Sequence, residues 1–370
     1  MPCYNEQEGI SASIKKAQQS IKKHNLNAEI IISDNGSTDN SVKIAKSLGA
    51  KVVSESRKGY GSAYLKGFSS ATGKYIIMGD SDDTYDFRKL HHFVKPLRQG
   101  YDLVIGSRFK GEILPGAMTW SHQYIGNPIL SGLLKIMYHT KISDSHCGMR
   151  AFNKTALKKM DLQTTGMEFA SEMVVKALQN NLKIFEIPIH YYPRKGETKL
   201  VGLRDAWRHL RFLLMYSPNH LFLIPGIFLF LLGSIFLVRL SYGVWYINGH
   251  GYDLHSMILA SLLTVIGFQI IVTGFYAKVF VISKGFQKNS RLLKTLCKFF
   301  NLEKGVFTSL IFIIIGVVLN IDIFLNWAKT GFGQLSALRQ AIFASTLLSL
   351  GVQGFFASFF FSIMGIPSKK

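Results

Sequence analysis

Cysteine is nearly missing from this sequence: Cys3, Cys147 and Cys297 are the only three in 370 residues, and none has the C-x-x-C spacing of metal or redox sites. A disulfide framework is excluded, and the thiols are expected to be reduced and on the cytosolic side. Acids are scarce in one half only. From Leu221 onward there are 3 Asp+Glu against 12 Lys+Arg, whereas the residues before it carry 19 against 31. Both parts are therefore basic, within a net charge of +21. Basic residues beside apolar spans are expected from anionic lipid and from the positive-inside bias, so the charge is assigned to the membrane and no nucleic-acid partner is expected. An apolar leader is lacking as well. The opening Met1-Pro2-Cys3-Tyr4-Asn5-Glu6 is polar, so no cleavable signal peptide is expected and the first domain should stay in the cytoplasm.

What is abundant is apolar: 48% of the residues are hydrophobic and 28 are Phe. Four runs, about 221–240, 257–280, 306–327 and 341–366, are long enough to cross a bilayer as helices. Asp322 lies near the end of the third, where a carboxylate is read as reaching the headgroups. The 283–305 loop holds Lys284, Lys288, Arg291, Lys294, Lys298 and Lys304, while 241–255 has no Lys or Arg. That asymmetry predicts a cytoplasmic 283–305 loop and both termini in the cytoplasm, in the plasma membrane if the source is bacterial or archaeal. Before the first run, Leu203, Trp207, Leu210 and Leu214 share one helical face, with Arg204, Arg208 and Arg211 on another. This segment, 203–219, reads as an interfacial amphipathic helix, the alternative being a helix packed on the preceding domain.

Residues 8–219 alternate between helical spacing and short apolar strands, the pattern of an α/β layer fold. The predicted strands are Glu29–Ser33, Lys51–Ser54, Tyr75–Met78, Leu103–Ile105 and Ile184–Ile189; Ser11–His24, Ser62–Ser70 and Phe87–Arg98 have helical spacing. Ligands of open α/β sheets bind at the carboxyl edge of the strands. There the sequence places Asp34-Asn35-Gly36-Ser37-Thr38-Asp39 after one strand and Gly79-Asp80-Ser81-Asp82-Asp83 after another. Three carboxylates in four residues repel unless a cation or several donors compensate, which suits a hard divalent ion held by Asp80 and Asp82. A solvated acidic turn is the alternative.

Pro2-Cys3-Tyr4-Asn5-Glu6, Asp34 to Asp39 and Asp80-Ser81-Asp82-Asp83, taken together, resemble the family 2 glycosyltransferases of GT-A fold. Ile105-Gly106-Ser107-Arg108, Asp144-Ser145-His146-Cys147-Gly148-Met149-Arg150 and Ile187-Pro188-Ile189 followed by Arg194-Lys195-Gly196-Glu197-Thr198-Lys199-Leu200 are similar to the dolichyl or polyprenyl phosphate sugar synthases. The resemblance covers about 1–200. It implies a Rossmann-like GT-A domain at 1–202, then the helix at 203–219 and an all-α membrane domain of four spans at 220–370. It further implies inverting transfer of a hexose from a nucleotide-diphosphate sugar to a polyprenyl phosphate, with Mg²⁺ or Mn²⁺. Pro2, Tyr4, Glu6 and Asp34 match nucleoside positions, Asp80 and Asp82 the metal motif, and Arg108, Arg194 and Lys199 positions near donor phosphates. Arg150 matches a position beside the acceptor, and Asp82, Arg150 and Arg194 carry catalysis in this reading. Self-association into a homo-oligomer stays open, as do the sugar and the nucleotide.

The sequence departs from the pattern in two places. His122 and Gln123 stand where the mannosyl branch has an arginine for the lipid phosphate, so His122 joins Arg150 as an acceptor-phosphate candidate. Only Met1 precedes Pro2, so the apolar first strand expected in the middle of the sheet is not in the sequence. Glu168 and Glu172, spaced i,i+4, read either as a sugar-hydroxyl contact or as an exposed pair. Two other readings compete: a family 2 enzyme extending a glycan or glycolipid, and a non-catalytic membrane scaffold with a decayed domain. The Gln-x-x-Arg-Trp motif of processive synthases does not occur.

Overall fold

The computed structural model describes residues 1–196, 202–283 and 302–365. The chain forms two compact units, Met1–Leu213 and Leu214–Lys370.

In the first unit, strands β1 (Pro2–Cys3), β2 (Ile31–Asp34) and β3 (Lys51–Ser54) run parallel in the order β1-β2-β3. A second sheet has the order β4-β6-β5-β7, from β4 (Tyr75–Met78), β5 (Leu103–Ile113), β6 (Arg150–Asn153) and β7 (Ile184–Tyr191). β6 runs antiparallel to both β4 and β5, and β5 is parallel to β7. Register places Arg150 opposite both Met78 and Ile105. The end of β4, the stretch of β5 around Ile105 and the start of β6 therefore meet, although their motifs lie far apart in sequence. β6 was not among the predicted strands: four residues opening on an arginine give no apolar alternation to read.

At its N-terminal end the first sheet has β1, of two residues. Its outer side meets the β4 turn through a side chain, Ser81 Oγ donating to Pro2 O at 2.7 Å. Helix α1 (Ile10–Lys23) covers this sheet with Ile10 and Ile14, which pack fully buried with Ile32 and Cys3. Burial of each isoleucine contributes about 1.5–3 kcal/mol. The remaining helices are α2 (Ser41–Ser47), α3 (Tyr60–Ser70), α4 (Leu90–Arg98), α5 (Asn127–Tyr138), α6 (Lys154–Met160), α7 (Phe169–Gln179) and α8 (Gly202–Met215). Tyr64 of α3 stacks on Phe169 of α7, and Phe68 of α3 meets Phe152 of β6 edge-on, at 5.7 and 5.0 Å between centroids.

The predicted amphipathic helix is present as α8. Trp207, Arg208 and Arg211 are exposed, while His209, Phe212 and Leu213 are buried.

The second unit has four helices long and apolar enough to cross a membrane: Asn219–Ser241, Leu254–Ile282, Leu302–Lys329 and Leu338–Met364. They comprise α9 (Ile224–Ser241), preceded by a π-type turn, then α10 (Leu254–Ser283), α11 (Leu302–Lys329) and α12 (Leu338–Gly365). Each coincides with one of the four apolar runs to within a few residues at either end. A hairpin, Trp245–Ile247 with His250–Tyr252, joins α9 to α10, and Arg339 at the start of α12 pairs with Asp253. Asp322 accepts a hydrogen bond from Asn326 one turn later at 3.2 Å.

Candidate active site

The acidic turn after β4 is built by its own side chains. Asp82 Oδ1 accepts from the Thr84 hydroxyl at 2.6 Å and from the Thr84 amide at 3.2 Å, an Asx-type turn. Asp83 takes φ 66°, a left-handed conformation that aspartate tolerates better than most residues. From above, α1 clamps the turn: Ser13 Oγ donates to Ser81 O and accepts from the Asp83 amide, both at 3.2 Å. Backbone bonds from Tyr192 N to Thr84 O and from Lys195 N to Asp82 O lay the segment after β7 along the same turn. That segment carries Arg194.

The three carboxylates are compensated differently. Asp83 faces two lysines, Lys16 at 2.6 Å and Lys195 at 2.8 Å, and so is saturated by the protein. Asp82 Oδ2 meets Arg194 Nη1 at 3.2 Å, and the other Nη of Arg194 donates to Glu6. Asp80 has no cationic partner within ion-pair distance among the described residues. Its Oδ1 accepts from the Tyr60 and Tyr64 hydroxyls, both at 3.0 Å, and its Oδ2 has no hydrogen-bond partner among the described residues. Burial and the charge of Asp80 raise both phenols well above their usual range, so they remain donors. Tyr60 and Tyr64 escaped the sequence reading, although their i,i+4 spacing on α3 was the available signal.

Burial first, and the charge of Asp82 second, push the Asp80 carboxyl up to about 6. A carboxylate oxygen of the half-buried Asp80 that accepts no hydrogen bond among the described residues, beside a second carboxylate, is a donor set that fits a divalent cation. Because its folded-state value is raised, native protein binds more protons than unfolded chain as pH passes from the usual aspartate value to about 6, and stability falls across that window. With chelator present, Asp80→Asn should therefore melt above wild type at about pH 7.5, with the difference shrinking as pH falls through about 6 and gone only below the usual aspartate value, about pH 4. A difference independent of pH would contradict this account of Asp80.

Arg194 offers a second unsatisfied group: its Nε is buried without a hydrogen-bond partner among the described residues. The sequence-predicted Glu6, Asp80, Asp82 and Arg194 thus form one cluster, with Glu6 and Asp82 orienting the guanidinium. Around the nucleoside positions, Asp34 turns both oxygens onto the Gly36 and Ser37 amides at 3.2 and 3.1 Å. Tyr4 is 44% exposed, and Lys58 Nζ lies 4.6 Å from its ring centroid. Lys58 also donates to Asn35 O at 3.2 Å; no motif drew attention to it. Pro2 supplies β1 and the carbonyl that Ser81 grips.

Arg108 sits in a bidentate pair with Asp144, at 2.7 and 2.8 Å, over the Tyr191 ring. Burial works against its charge, but Asp144 raises it well above the usual arginine range. Tyr191 packs against Tyr85, whose hydroxyl accepts from the Gly148 amide at 2.8 Å. A Cβ at Gly148 would stand 2.9 Å from Asp80 Oδ2 and 3.0 Å from the Tyr85 hydroxyl, so a larger residue here would displace the carboxylate or the phenol. This is the physical link between the motif at Asp144–Arg150 and the acidic turn.

Two expectations change here. Arg150 is wholly buried, and its guanidinium donates to Cys147 O, Ala170 O and Ser145 O at 2.8, 2.7 and 2.8 Å. It clasps the turn rather than presenting charge to an acceptor. Glu172 is neither an exposed partner of Glu168 nor open to sugar: it is buried, pairs with Lys176 at 3.0 Å and accepts from the Thr164 amide and hydroxyl. The i,i+4 spacing was read correctly, but its face turned inward. His122 lies apart, in a π-type turn before α5, with Nδ1 2.8 Å from Thr119 Oγ1. Around it Trp120, Tyr124, Ile125 and Ile129 are exposed. Lys199 and the basic loop at 284–301 lie outside the described residues. Cys147, pushed up to about 12 chiefly by burial, is an inert thiol.

Residues 1–161 match glycosyl transferase family 2, and 275–365 match the glycosyltransferase family 2 C-terminal transmembrane region. The chain is 37% identical over 367 residues to the low-salt glycan biosynthesis hexosyltransferase Agl6 of Haloferax volcanii, covering 99% of this chain and 88% of that one. It is 30% identical over 202 residues to a dolichyl-phosphate hexose transferase of the same organism, covering 54% and 84%. Among solved structures, glucosyl-3-phosphoglycerate synthase from Mycobacterium tuberculosis aligns over 58% of this chain and 76% of its own, with TM-score 0.46 and 20% identity.

Proposed function

The chain belongs to glycosyltransferase family 2, with that family's C-terminal transmembrane region, and on this premise we propose that it moves a hexose from a nucleotide-diphosphate sugar to a polyprenyl phosphate at the cytoplasmic membrane face. The observation that carries the reading is the cluster of Asp80, Asp82, Arg194 and Glu6: two carboxylates and a guanidinium with an unused donor, at the sheet edge of a chain anchored by four apolar helices.

Asp80 and Asp82 would hold Mg²⁺ or Mn²⁺, which when bound neutralises charge on the leaving diphosphate. Arg194 supplies further positive charge there, oriented by Glu6 and Asp82, so little reorganisation is needed as the bond breaks. Pro2, Tyr4 and Asp34 frame the nucleoside, with Lys58 behind the Tyr4 ring. Arg108, kept charged by Asp144, and Lys199 are assigned to the donor phosphates. A phosphate monoester has a second pKa near ~6, so its oxygen is largely anionic at neutral pH and attacks the anomeric carbon without a general base. Neither Cys147 nor a histidine is then required as nucleophile or base. The exposed Trp120, Tyr124, Ile125 and Ile129 beside His122 suit an acceptor that arrives in lipid, since aromatic and aliphatic side chains favour the headgroup boundary.

The resemblance to the dolichyl-phosphate transferase supports a lipid phosphate over a growing glycan. The test is a donor panel: membranes bearing the protein, given labelled UDP-glucose, GDP-mannose and related donors with polyprenyl phosphate. One donor should place label in the lipid fraction with inverted anomeric configuration. Retention, or label only in a lengthening glycan, would overturn the reading.

A further inference from the structure

Lys278 lies on α10, four residues before the end of the apolar helix Leu254–Ile282, yet it is only 4% exposed. A lysine so near a span's end ordinarily extends to the interface. This one points inward, and its Nζ donates to Asn219 Oδ1 at 2.8 Å. The approach is engineered one turn earlier: a Cβ at Gly274 would stand 2.6 Å from Phe222 Cβ, so the bare glycine lets the 219–223 turn close onto α10. Beside Asn219, Ser217 Oγ and His220 Nδ1 are 2.6 Å apart.

No carboxylate pairs with Lys278 among the described residues. Within this unit Asp253 is taken by Arg339, and Asp322 meets Asn326. Glu303 is exposed and forms no ion pair with Lys278. One neutral amide oxygen satisfies one of three ammonium donors and none of its charge. An uncompensated buried cation is costly, and ionisable groups inside spans mark ligand sites more often than packing. Asn219 follows α8 within a few residues, so this is the end at which the chain enters the membrane from the catalytic unit.

We propose that Lys278, with Asn219 and the Ser217–His220 pair, binds the phosphate of a membrane lipid where the spans end. Lipid phosphate supplies the missing counter-charge and accepts the two remaining ammonium protons. The phosphate site stands on Lys278 itself; that its occupant is the sugar acceptor rests on the function proposed above.

The test measures binding of two probes to the full chain in detergent: a short polyprenyl monophosphate and dioleoylphosphatidylglycerol. Lys278→Met should weaken binding of at least one probe about tenfold or more, as loss of a charge-assisted contact does, while Lys278→Arg retains it. Lys278→Met should also melt at or above the wild-type temperature, since it removes a buried charge. A tenfold effect on the monoester alone identifies the acceptor as the occupant, and an equal effect on both identifies phospholipid; each supports the site. Unchanged binding of both probes, or a lower melting temperature with unchanged binding, overturns it. Neither readout needs turnover. A binding loss in a chain that never glycosylates polyprenyl phosphate would therefore sink the acceptor assignment and leave the phosphate site standing.

Discussion

Asp82→Asn is expected to lower kcat by roughly 10³-fold, a barrier increase of about 4 kcal/mol, with little change in melting temperature. The fold should survive because an amide oxygen at this position still accepts from the Thr84 amide and hydroxyl, the bonds that shape the turn. What disappears is the charge. In the proposed function Asp82 would contribute one of the two carboxylates for the cation, and it holds Arg194 by its Oδ2, so one substitution would strike both proposed sources of positive charge at the diphosphate. The neighbouring acid supplies the contrast. Asp83 is already paired with Lys16 and Lys195, so Asp83→Asn should keep activity within about tenfold and act through the stability of the turn. Turnover and melting measurements on the two variants separate the roles. Equal losses of kcat would mean that the turn acts only as a block of negative charge.

Arg150→Met is expected to destabilise the first unit by roughly 3 kcal/mol or more, because three buried carbonyl oxygens lose their donors and each such loss costs about 1–3 kcal/mol. The Cys147 and Ser145 carbonyls belong to the turn that carries Gly148 against Asp80 and Asp144 against Arg108, so the damage reaches the site through geometry. Arg150→Lys should be nearly as harmful, since an ammonium cannot reproduce the planar fork that reaches three carbonyls in fixed directions. Melting of the full chain in detergent is the measurement. A variant with wild-type stability whose KM rises only for the lipid acceptor would contradict the structural role and restore Arg150 as an acceptor contact.

The GT-A architecture and the four apolar helices were legible because each leaves a periodic trace: short apolar strands ending in turn residues, and long uncharged runs. Asp80, Asp82, Glu6 and Arg194 were legible as motif positions, but their partnership was not. Glu6 and Arg194 lie at opposite ends of the first unit's sequence, and the backbone bonds and the Lys195–Asp83 ion pair between the 192–195 segment and the acidic turn bring them together. Arg150 and Glu172 were misread for a common reason. A charged residue in a motif, like Arg150, or in an i,i+4 pair, like Glu172, suggests contact with ligand or solvent, whereas here each charge is consumed by backbone groups or a lysine in the interior. Burial of that kind is decided by which face of β6 or α7 meets the core, and four strand residues or one i,i+4 pair do not specify a face. The Tyr60 and Tyr64 hydroxyls were overlooked because apolar packing of an aromatic pair on a helix has the same spacing as a pair of donors.

The central claim is that one hexose passes from a soluble nucleotide donor to a lipid phosphate under the control of Asp80, Asp82 and Arg194. Its most direct measurement is mass spectrometry of the lipid fraction after purified full-length protein is incubated with polyprenyl phosphate and the matching nucleotide sugar, with and without chelator. The account predicts a polyprenyl phosphate carrying a single hexose, lost with chelator, restored by Mg²⁺ or Mn²⁺, and missing with Asp82→Asn. Unmodified polyprenyl phosphate alongside a glycosylated product of another class, or full activity in chelator, would contradict it.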